Sequence, residues 1–174
     1  MLSNVNKPEP TRFPRKIIEE LAERFAGVVQ FSHGDDLRHI VEQKLGGKLR
    51  YADANEWLDT ASGSITVEAP NKFTIILANF TGPLRNRFTI AHELGHYVLH
   101  SRLGEIPLTA PRKDRSPAES EADWFAAAFL MPKKPFLEAL EGMNGHLNLD
   151  LLAGRFLVSK PAAKYRADEL KQNL

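Results

Sequence analysis

The sequence predicts an α+β fold, with a small antiparallel sheet packed on helices. Apolar residues recur at helical spacing before residue 48 and again after residue 80. Between these limits the helical period fades and glycine, threonine, valine and isoleucine become frequent, which favours strands. Helices on both sides of one strand-rich block are typical of α+β proteins with an antiparallel sheet. The length of 174 residues suits one domain, and we expect residues 1–174 to form it.

Two helices are predicted after an extended, proline-containing lead-in at residues 1–13. Apolar side chains share one face of Arg15–Ala26, and a glycine follows as a stop signal. Asp35 or Asp36 can cap a second helix that runs to Leu45, because two glycines follow there.

The strand-rich block contains a predicted β-hairpin. Ile65–Glu68 and Phe73–Asn79 are rich in strand-forming residues and flank a turn at residues 69–72. A threonine, a glycine and a proline then break the chain. We expect Asn86 to cap the next helix, which continues to about His100.

The remainder is predicted to be helical apart from a polar loop at residues 104–115. Ser116 and a following proline begin a helix that stops before Pro132, since a residue that precedes proline disfavours the helical conformation. Shorter helices are predicted at Pro135–Met143, at Leu149–Phe156 and from Ser159 toward Leu170. Residues 146–174 would form a small helical C-terminal segment.

The composition excludes several classes of protein and site. Hydrophobic residues make up 43% and charged residues 26%, a balance that argues against wholesale disorder. The absence of cysteine excludes disulfides, thiolate metal sites and a cysteine nucleophile. A metal would therefore be held by histidine, carboxylate or water. The net charge of +1 provides no general attraction to nucleic acid or anionic membranes.

The expected location is cytoplasmic. The first residues contain no apolar segment of the kind that a signal peptide needs. No apolar run approaches the ~20 residues of a membrane-spanning helix.

One string carries chemistry: His92-Glu93-Leu94-Gly95-His96. Helical residues four apart are neighbours, so His92 and His96 can reach one zinc ion at ~2.0–2.1 Å. Glu93 would project toward the open coordination position, where it can take a proton from a water whose pKa zinc lowers to about 7. Gly95 is expected to leave space beside the metal. This chemistry is amide hydrolysis, and Mn²⁺ or Fe²⁺ could replace Zn²⁺ in the cell.

A catalytic zinc ion needs a third protein ligand. The metzincin pattern is excluded, because Arg102 stands where its third histidine would be. His100 lies ~12 Å along the helix from His92, so it is more simply a helix-end histidine near the terminal carbonyls. Glu119 on the next helix is the better candidate. Asp123, four residues on, could accept a hydrogen bond from a ligand histidine.

The residues alone leave a second interpretation of Glu119 open. Ser116 and Glu119 fit a capping box, in which the carboxylate bonds back to the Ser116 backbone. Glu121 is expected to point elsewhere. The residue that would stabilise an oxyanion is open among three candidates, namely Tyr97, His100 and His146.

These strings resemble the motifs of the ImmA/IrrE metallopeptidases. The segment Arg87–His96, with the Leu99-His100 pair after it, looks like the family's metal helix. The segment Glu119–Ala126, which leads to Leu130-Met131-Pro132, looks like its second signature, and Leu152–Ser159 is similar to its C-terminal segment. The resemblance implies a zincin-like fold.

The resemblance also implies particular roles. Glu119 becomes the third ligand, Glu121 is the alternative, and Asp123 stands where the family has Asn or Asp. The implied function is a zinc-dependent endopeptidase that cleaves a repressor or antitoxin-like transcription regulator in phage, mobile-element or stress-response settings. Many relatives carry an N-terminal helix-turn-helix domain, and residues 1–60 are too short for one besides the catalytic lead-in.

The predicted strand Phe73–Asn79 precedes the metal helix, and we expect it to be an edge strand that pairs with an extended substrate. The other interpretation is a core strand, supported by Ile75 and Leu77 on one face. Both can hold, because backbone atoms would bind the substrate while side chains face the core.

The main alternative function is a non-enzymatic DNA- or partner-binding regulator. Residues 149–170 could form a small helix-turn-helix with several basic side chains. A basic face of this size is more often a solvated surface, so we do not expect direct nucleic-acid binding. A second alternative is a zinc enzyme that hydrolyses a small amide or ester, because the metal chemistry is the same.

Overall fold

A computed structural model describes residues 6–53, 55–56, 63–111 and 115–172. Its helices are α1 Arg15–Val28, α2 Leu37–His39, α3 Pro83–Gly95, α4 Pro117–Leu130, α5 Lys133–Glu141, α6 Leu149–Phe156 and α7 Lys160–Gln172. Short π-helical turns extend two of them, Ile40–Lys44 after α2 and His96–His100 after α3. The strands are β1 Lys48–Tyr51, β2 Gly63–Ala69, β3 Lys72–Leu77 and β4 Leu108–Pro111. Within these ranges no helix is long and apolar enough to cross a membrane.

The four strands form one sheet in the order β1-β3-β2-β4. The predicted hairpin is β2–β3, with Ile65 opposite Ile75, and β4 pairs with β2 in the antiparallel sense. The α+β class is confirmed. The expectation of a wholly antiparallel sheet is wrong, because β1 pairs with β3 in the parallel sense. β1 lies beside β3 on the side away from β2, and β3 turns back from β2 in the hairpin, so β1 runs antiparallel to β2.

Two details of the strand prediction are also wrong. β4 lies within the predicted loop at residues 104–115, where its four residues bury only Leu108 and Ala110. β3 is central, between β1 and β2, so it is not the edge strand expected to pair with a substrate. The core-strand interpretation holds instead, because Ile75 and Leu77 are both buried.

Helix α4 forms the centre of the helical layer. Its alanines pack against neighbouring helices, and its phenylalanines join an aromatic core with α1. The rings of Phe25 and Phe125 lie 6.0 Å apart, and Phe31 stacks on Phe129 at 4.3 Å. Aromatic burial of this kind contributes much of the free energy that holds helices together. It fixes α4 against the rest of the fold.

Helix α3 starts earlier than predicted. Pro83 occupies its first turn, where the fixed φ of proline suits a helix start. Asn86 is therefore not the cap. Its side chain instead bonds to Thr81, whose hydroxyl donates to the Asn86 carbonyl oxygen and whose backbone oxygen accepts from the Asn86 amide at 3.3 Å.

Candidate metal centre

The site is built where α3 and α4 cross at close range. A Cβ atom placed on Gly95 would lie 3.1 Å from Ala122 Cα and 3.3 Å from Phe125 Cβ. Gly95 therefore lets the two helices approach, and its space is filled by α4 rather than left beside a metal. This approach brings the first turns of α4 against the histidines of α3.

Three potential ligands face one point between these helices. His92 Nε2 lies 3.0 Å from Glu119 Oε2 and 3.2 Å from His96 Nε2. His96 Nε2 lies 3.0 Å from Glu119 Oε1. A tetrahedral zinc ion with bonds of ~2.0–2.2 Å separates its ligand atoms by ~3.3–3.6 Å. The set of two imidazoles and a carboxylate therefore fits a small divalent ion with only slight widening.

Burial sets the charges of these groups. Both histidines are 1% exposed. Burial outweighs the contact with the Glu119 carboxylate and lowers the pKa of His96, so the imidazole is neutral and can offer a lone pair. Burial alone would raise the pKa of Glu119, but its contacts with the rings of His92 and His96 hold it well below its usual range. The carboxylate is therefore ionised, as a ligand must be.

Asp123 lies on the far side of His92. Its Oδ1 is 2.7 Å from His92 Nδ1. If Nδ1 carries the ring proton and donates it to this carboxylate, Nε2 keeps its lone pair on the metal side. The structure thus brings Asp123 to the position expected for a partner of a ligand histidine.

The first turn of α4 bears on both interpretations of Glu119. Ser116 Oγ accepts a hydrogen bond from the Glu119 backbone N–H at 3.3 Å, so Ser116 does cap the helix. Both oxygens of the Glu119 carboxylate nevertheless lie 3.0 Å from a histidine nitrogen. The backbone N–H of Glu119 bonds to the cap residue while its side chain faces the two histidines.

Glu93 is fully buried on α3 and faces the start of β2. A Cβ atom on Gly63 would lie 2.3 Å from Thr89 Cγ2 and 3.4 Å from Glu93 Oε1. The first residue of β2 must therefore be glycine for the strand to pass this close to the helix. Sequence reasoning missed Gly63, because only the packing of β2 on α3 shows its role.

His100 does lie at a helix end, as the last residue of the π-helical turn, but it is buried there. Its Nδ1 lies 2.9 Å from His96 Nδ1. Burial and the nearby His96 lower the pKa of His100 to about 4, so the ring is neutral at physiological pH. His96 lies between His100 and the metal-facing atoms of the site, so His100 contacts the site through His96.

Glu121 lies behind His100 and does not join the metal-facing donors. Its Oε2 is 2.9 Å from His100 Nε2. Backbone N–H groups of Thr11 and Arg12 each donate to it at 2.8 Å. Burial tends to raise the pKa of Glu121, but these hydrogen bonds lower it overall. Glu121 as an alternative metal ligand thus has no geometric support.

The other candidates for an oxyanion partner lie elsewhere. The Tyr97 hydroxyl accepts a hydrogen bond from the Asn71 backbone N–H at 3.2 Å, and its ring stacks on Phe73 at 4.3 Å. Tyr97 is therefore part of the packing between α3 and the hairpin. His146 is exposed in the turn between α5 and α6 and is outside the three-residue donor cluster.

Comparison with known proteins places this geometry in a family. The sequence profile of the IrrE N-terminal-like domain matches residues 42–168, which is most of the chain. The chain belongs to this family. Metallopeptidase ImmA of Bacillus subtilis (strain 168) is 32% identical over 85 residues, which cover 48% of this chain and 50% of that protein. The family and this relative suggest a metallopeptidase, and the His92, His96 and Glu119 cluster suggests a bound metal ion.

A solved structure shares the fold of this member of the IrrE-like family. A Mycobacterium tuberculosis transcriptional regulator superposes with a TM-score of 0.62 over 87% of this chain and 46% of its own, at 23% sequence identity. This similarity supports the fold. The chain spans about half the length of both relatives.

Proposed function

We propose that the protein is a zinc-dependent endopeptidase. The observation that carries the proposal is the convergence of His92, His96 and Glu119 at 3.0–3.2 Å. Glu93, which follows His92 on α3, is fully buried. A bound zinc ion would polarise a peptide carbonyl and lower the pKa of water to about 7. Mn²⁺ or Fe²⁺ would supply the same chemistry.

The side chains around this point would divide the work. His92, His96 and Glu119 would hold the ion, and Asp123 would keep His92 in the tautomer that presents Nε2. Glu93 would take a proton from the attacking water and pass it to the leaving amine. Its complete burial supports this role, because proton transfer in a water-poor site faces less competition from solvent.

The position of β4 supports a polypeptide as the substrate. β4 is an edge of the sheet, and its last residue, Pro111, lies opposite Ser64. Ser64 follows Gly63, which contacts the Glu93 region. The Thr109 N–H is already used and Pro111 has none, so an extended peptide at this end of the sheet would donate its own N–H groups to carbonyls of β4. Asn6 already bonds to the other end of β4, where its carbonyl accepts from the Thr109 N–H at 3.0 Å.

The substrate proposed within this class is a repressor or antitoxin-like transcription regulator. This choice of substrate follows from the family resemblance of the motifs, whereas the family and the relative named a metallopeptidase support the peptidase activity. The flexible linker of such a regulator would provide the extended segment that an edge strand binds.

The experiment compares wild type, Glu93→Gln and Glu20→Gln in cleavage of a repressor encoded beside the protein. We expect Glu93→Gln to retain its metal and to lose activity by at least ~10²–10⁴-fold, because glutamine cannot accept the proton. Glu20 is exposed on α1, so its variant controls for the loss of one negative charge. If Glu93→Gln with full metal content cleaves at the wild-type rate, Glu93 is not the general base.

The structure does not favour the DNA-binding alternative. Helices α6 and α7 do form a pair, but Lys160 bonds to Asp150 and Lys164 to Asp168, each at 2.5 Å. Arg166 is fully buried. Most of the basic residues of this segment are thus neutralised or enclosed within the protein.

A further inference from the structure

A line of buried polar side chains runs from the back of the candidate metal centre to the N-terminal lead-in. His96 Nδ1 lies 2.9 Å from His100 Nδ1, and His100 Nε2 lies 2.9 Å from Glu121 Oε2. These three residues are 1%, 5% and 3% exposed, respectively. The line begins at His96 Nδ1, the ring nitrogen that faces away from the metal position. His96 and His100 lie in the π-helical turn after α3, whereas Glu121 lies on α4.

The chemistry of each group fixes the direction of these hydrogen bonds. Backbone N–H groups of the lead-in donate to both oxygens of Glu121, so the ionised carboxylate, which only accepts, fits this place. His100 Nε2 must then carry a hydrogen, and its Nδ1 keeps a lone pair. That lone pair accepts the Nδ1 hydrogen of His96. The free lone pair of His96 is consequently on Nε2, which faces Glu119 and His92.

The lead-in is shaped to hold the outer end of this line. Arg12 adopts a left-handed backbone with φ 60, which is uncommon for a residue other than glycine. Beside it, the successive N–H groups of Thr11 and Arg12 both donate to one carboxylate, each at 2.8 Å. A carboxylate that accepts from two backbone amides is stabilised in its ionised form. These two hydrogen bonds fix Glu121 in the orientation that accepts from His100.

We propose that His100 is a positioning residue of the metal centre, which holds His96 in the tautomer that binds metal through Nε2. Glu121 and the lead-in amides hold His100 in turn. The proposal rests on the proposed metal site. Asp123 contacts His92, whereas His100 contacts His96. Through Glu121, the role of His100 also depends on the lead-in amides.

The first test is zinc affinity, measured by competition with a chromophoric chelator for wild type, His100→Leu, His100→Asn and Leu170→Ala. Loss of such an outer hydrogen bond weakens metal affinity by ~10–100-fold, so His100→Leu should show a loss of that size. His100→Asn should recover most of the affinity, because its amide oxygen occupies the place of the Nδ1 acceptor. Leu170→Ala removes buried side-chain volume on α7 and should leave affinity unchanged. Equal losses of zinc affinity in His100→Leu and His100→Asn, or no loss in His100→Leu, would overturn the proposal.

The second test does not require metal or a stable variant. Nitrogen-15 NMR of histidine-labelled, metal-free wild type reports which ring nitrogen carries the proton. We expect His96 to be protonated at Nδ1 and His100 at Nε2, and the opposite tautomer at His100 would overturn the proposal. If wild type binds no zinc yet shows these tautomers, the proposed metallopeptidase function fails while the hydrogen-bonded line stands. If wild type binds zinc but shows the opposite tautomers, the proposed role of His100 fails while the proposed metal site stands.

Discussion

At the scale of single residues, the site depends on which atom of each side chain faces the common point. Glu119 shows this clearly, because its backbone is capped by Ser116 while its carboxylate lies between two histidines. The motif spacing indicated both interpretations of Glu119 and could not choose between them. The choice depends on how closely α4 approaches α3, which sequence spacing does not report.

Separate variants should separate the two roles of this turn. Ser116→Ala should lower the free energy of unfolding by ~0.5–2 kcal/mol through the lost cap and retain zinc. Glu119→Ala should reduce zinc affinity by more than the ~10–100-fold typical of an outer partner. Urea denaturation and chelator competition measure the two quantities. Unchanged zinc affinity in Glu119→Ala would leave this residue with only its place in the cap.

Asp123 provides a second prediction at this scale. Its carboxylate accepts from His92 at 2.7 Å and its side chain is 50% exposed. Asp123→Ala should weaken zinc binding by ~10–100-fold, since the tautomer of His92 is no longer fixed. Asp123→Asn should be milder, because an amide oxygen can still accept the hydrogen. Isothermal titration with zinc measures the affinity of both variants. Equal zinc affinities for Asp123→Ala and wild type would show that Asp123 does not position His92.

At the scale of elements, the close crossing of α3 and α4 determines the site. Gly95→Ala introduces a methyl group 3.1 Å from Ala122 Cα, so the helices must separate. We expect a loss of ~1–3 kcal/mol in unfolding free energy, together with weaker zinc binding. Gly154→Ala is the matched control, because open space surrounds that position on α6. It should be neutral or stabilising by up to ~1 kcal/mol. Full zinc affinity in Gly95→Ala would contradict this account of the crossing.

The helices and the hairpin were predictable because their signals are local. Arg15–Ala26 matches α1 closely, and Ile65–Glu68 lies within β2. β1 and β4 were missed because each has four residues and is stabilised by pairing with distant strands. The π-helical turn at His96–His100 was also missed, and with it the contact between His96 and His100. Non-local packing, which a residue pattern does not contain, determines these features.

At the scale of the whole molecule, a buried ionic cluster connects the first and last helices. Arg166 on α7 is fully buried, and its guanidinium lies 3.2 Å from Glu19 and 3.3 Å from Glu169. Its Nε also donates to the Met131 carbonyl at 3.1 Å, at the end of α4. This one side chain thus ties α1 and α7 to the helix that carries Glu119.

Removal of this cation should destabilise the fold without touching the site. Arg166→Met would leave the half-buried carboxylates of Glu19 and Glu169 with Arg15 as their remaining partner. We expect a loss of ~3 kcal/mol in unfolding free energy, the low end of the range for breaking a buried ion pair. Lys164→Met removes an exposed ion pair on the same helix and should cost at most ~1 kcal/mol. Urea denaturation compares the two variants. Equal small effects would show that the cluster does not stabilise the connection between α1 and α7.

A crystal structure of the protein grown with zinc would show directly whether the three donor side chains bind a metal ion. We expect one ion per chain, bound by Nε2 of His92, Nε2 of His96 and the Glu119 carboxylate, with metal–ligand distances of ~2.0–2.2 Å. An ion bound elsewhere, or zinc-saturated crystals in which these two imidazoles bind no ion, would contradict this expectation.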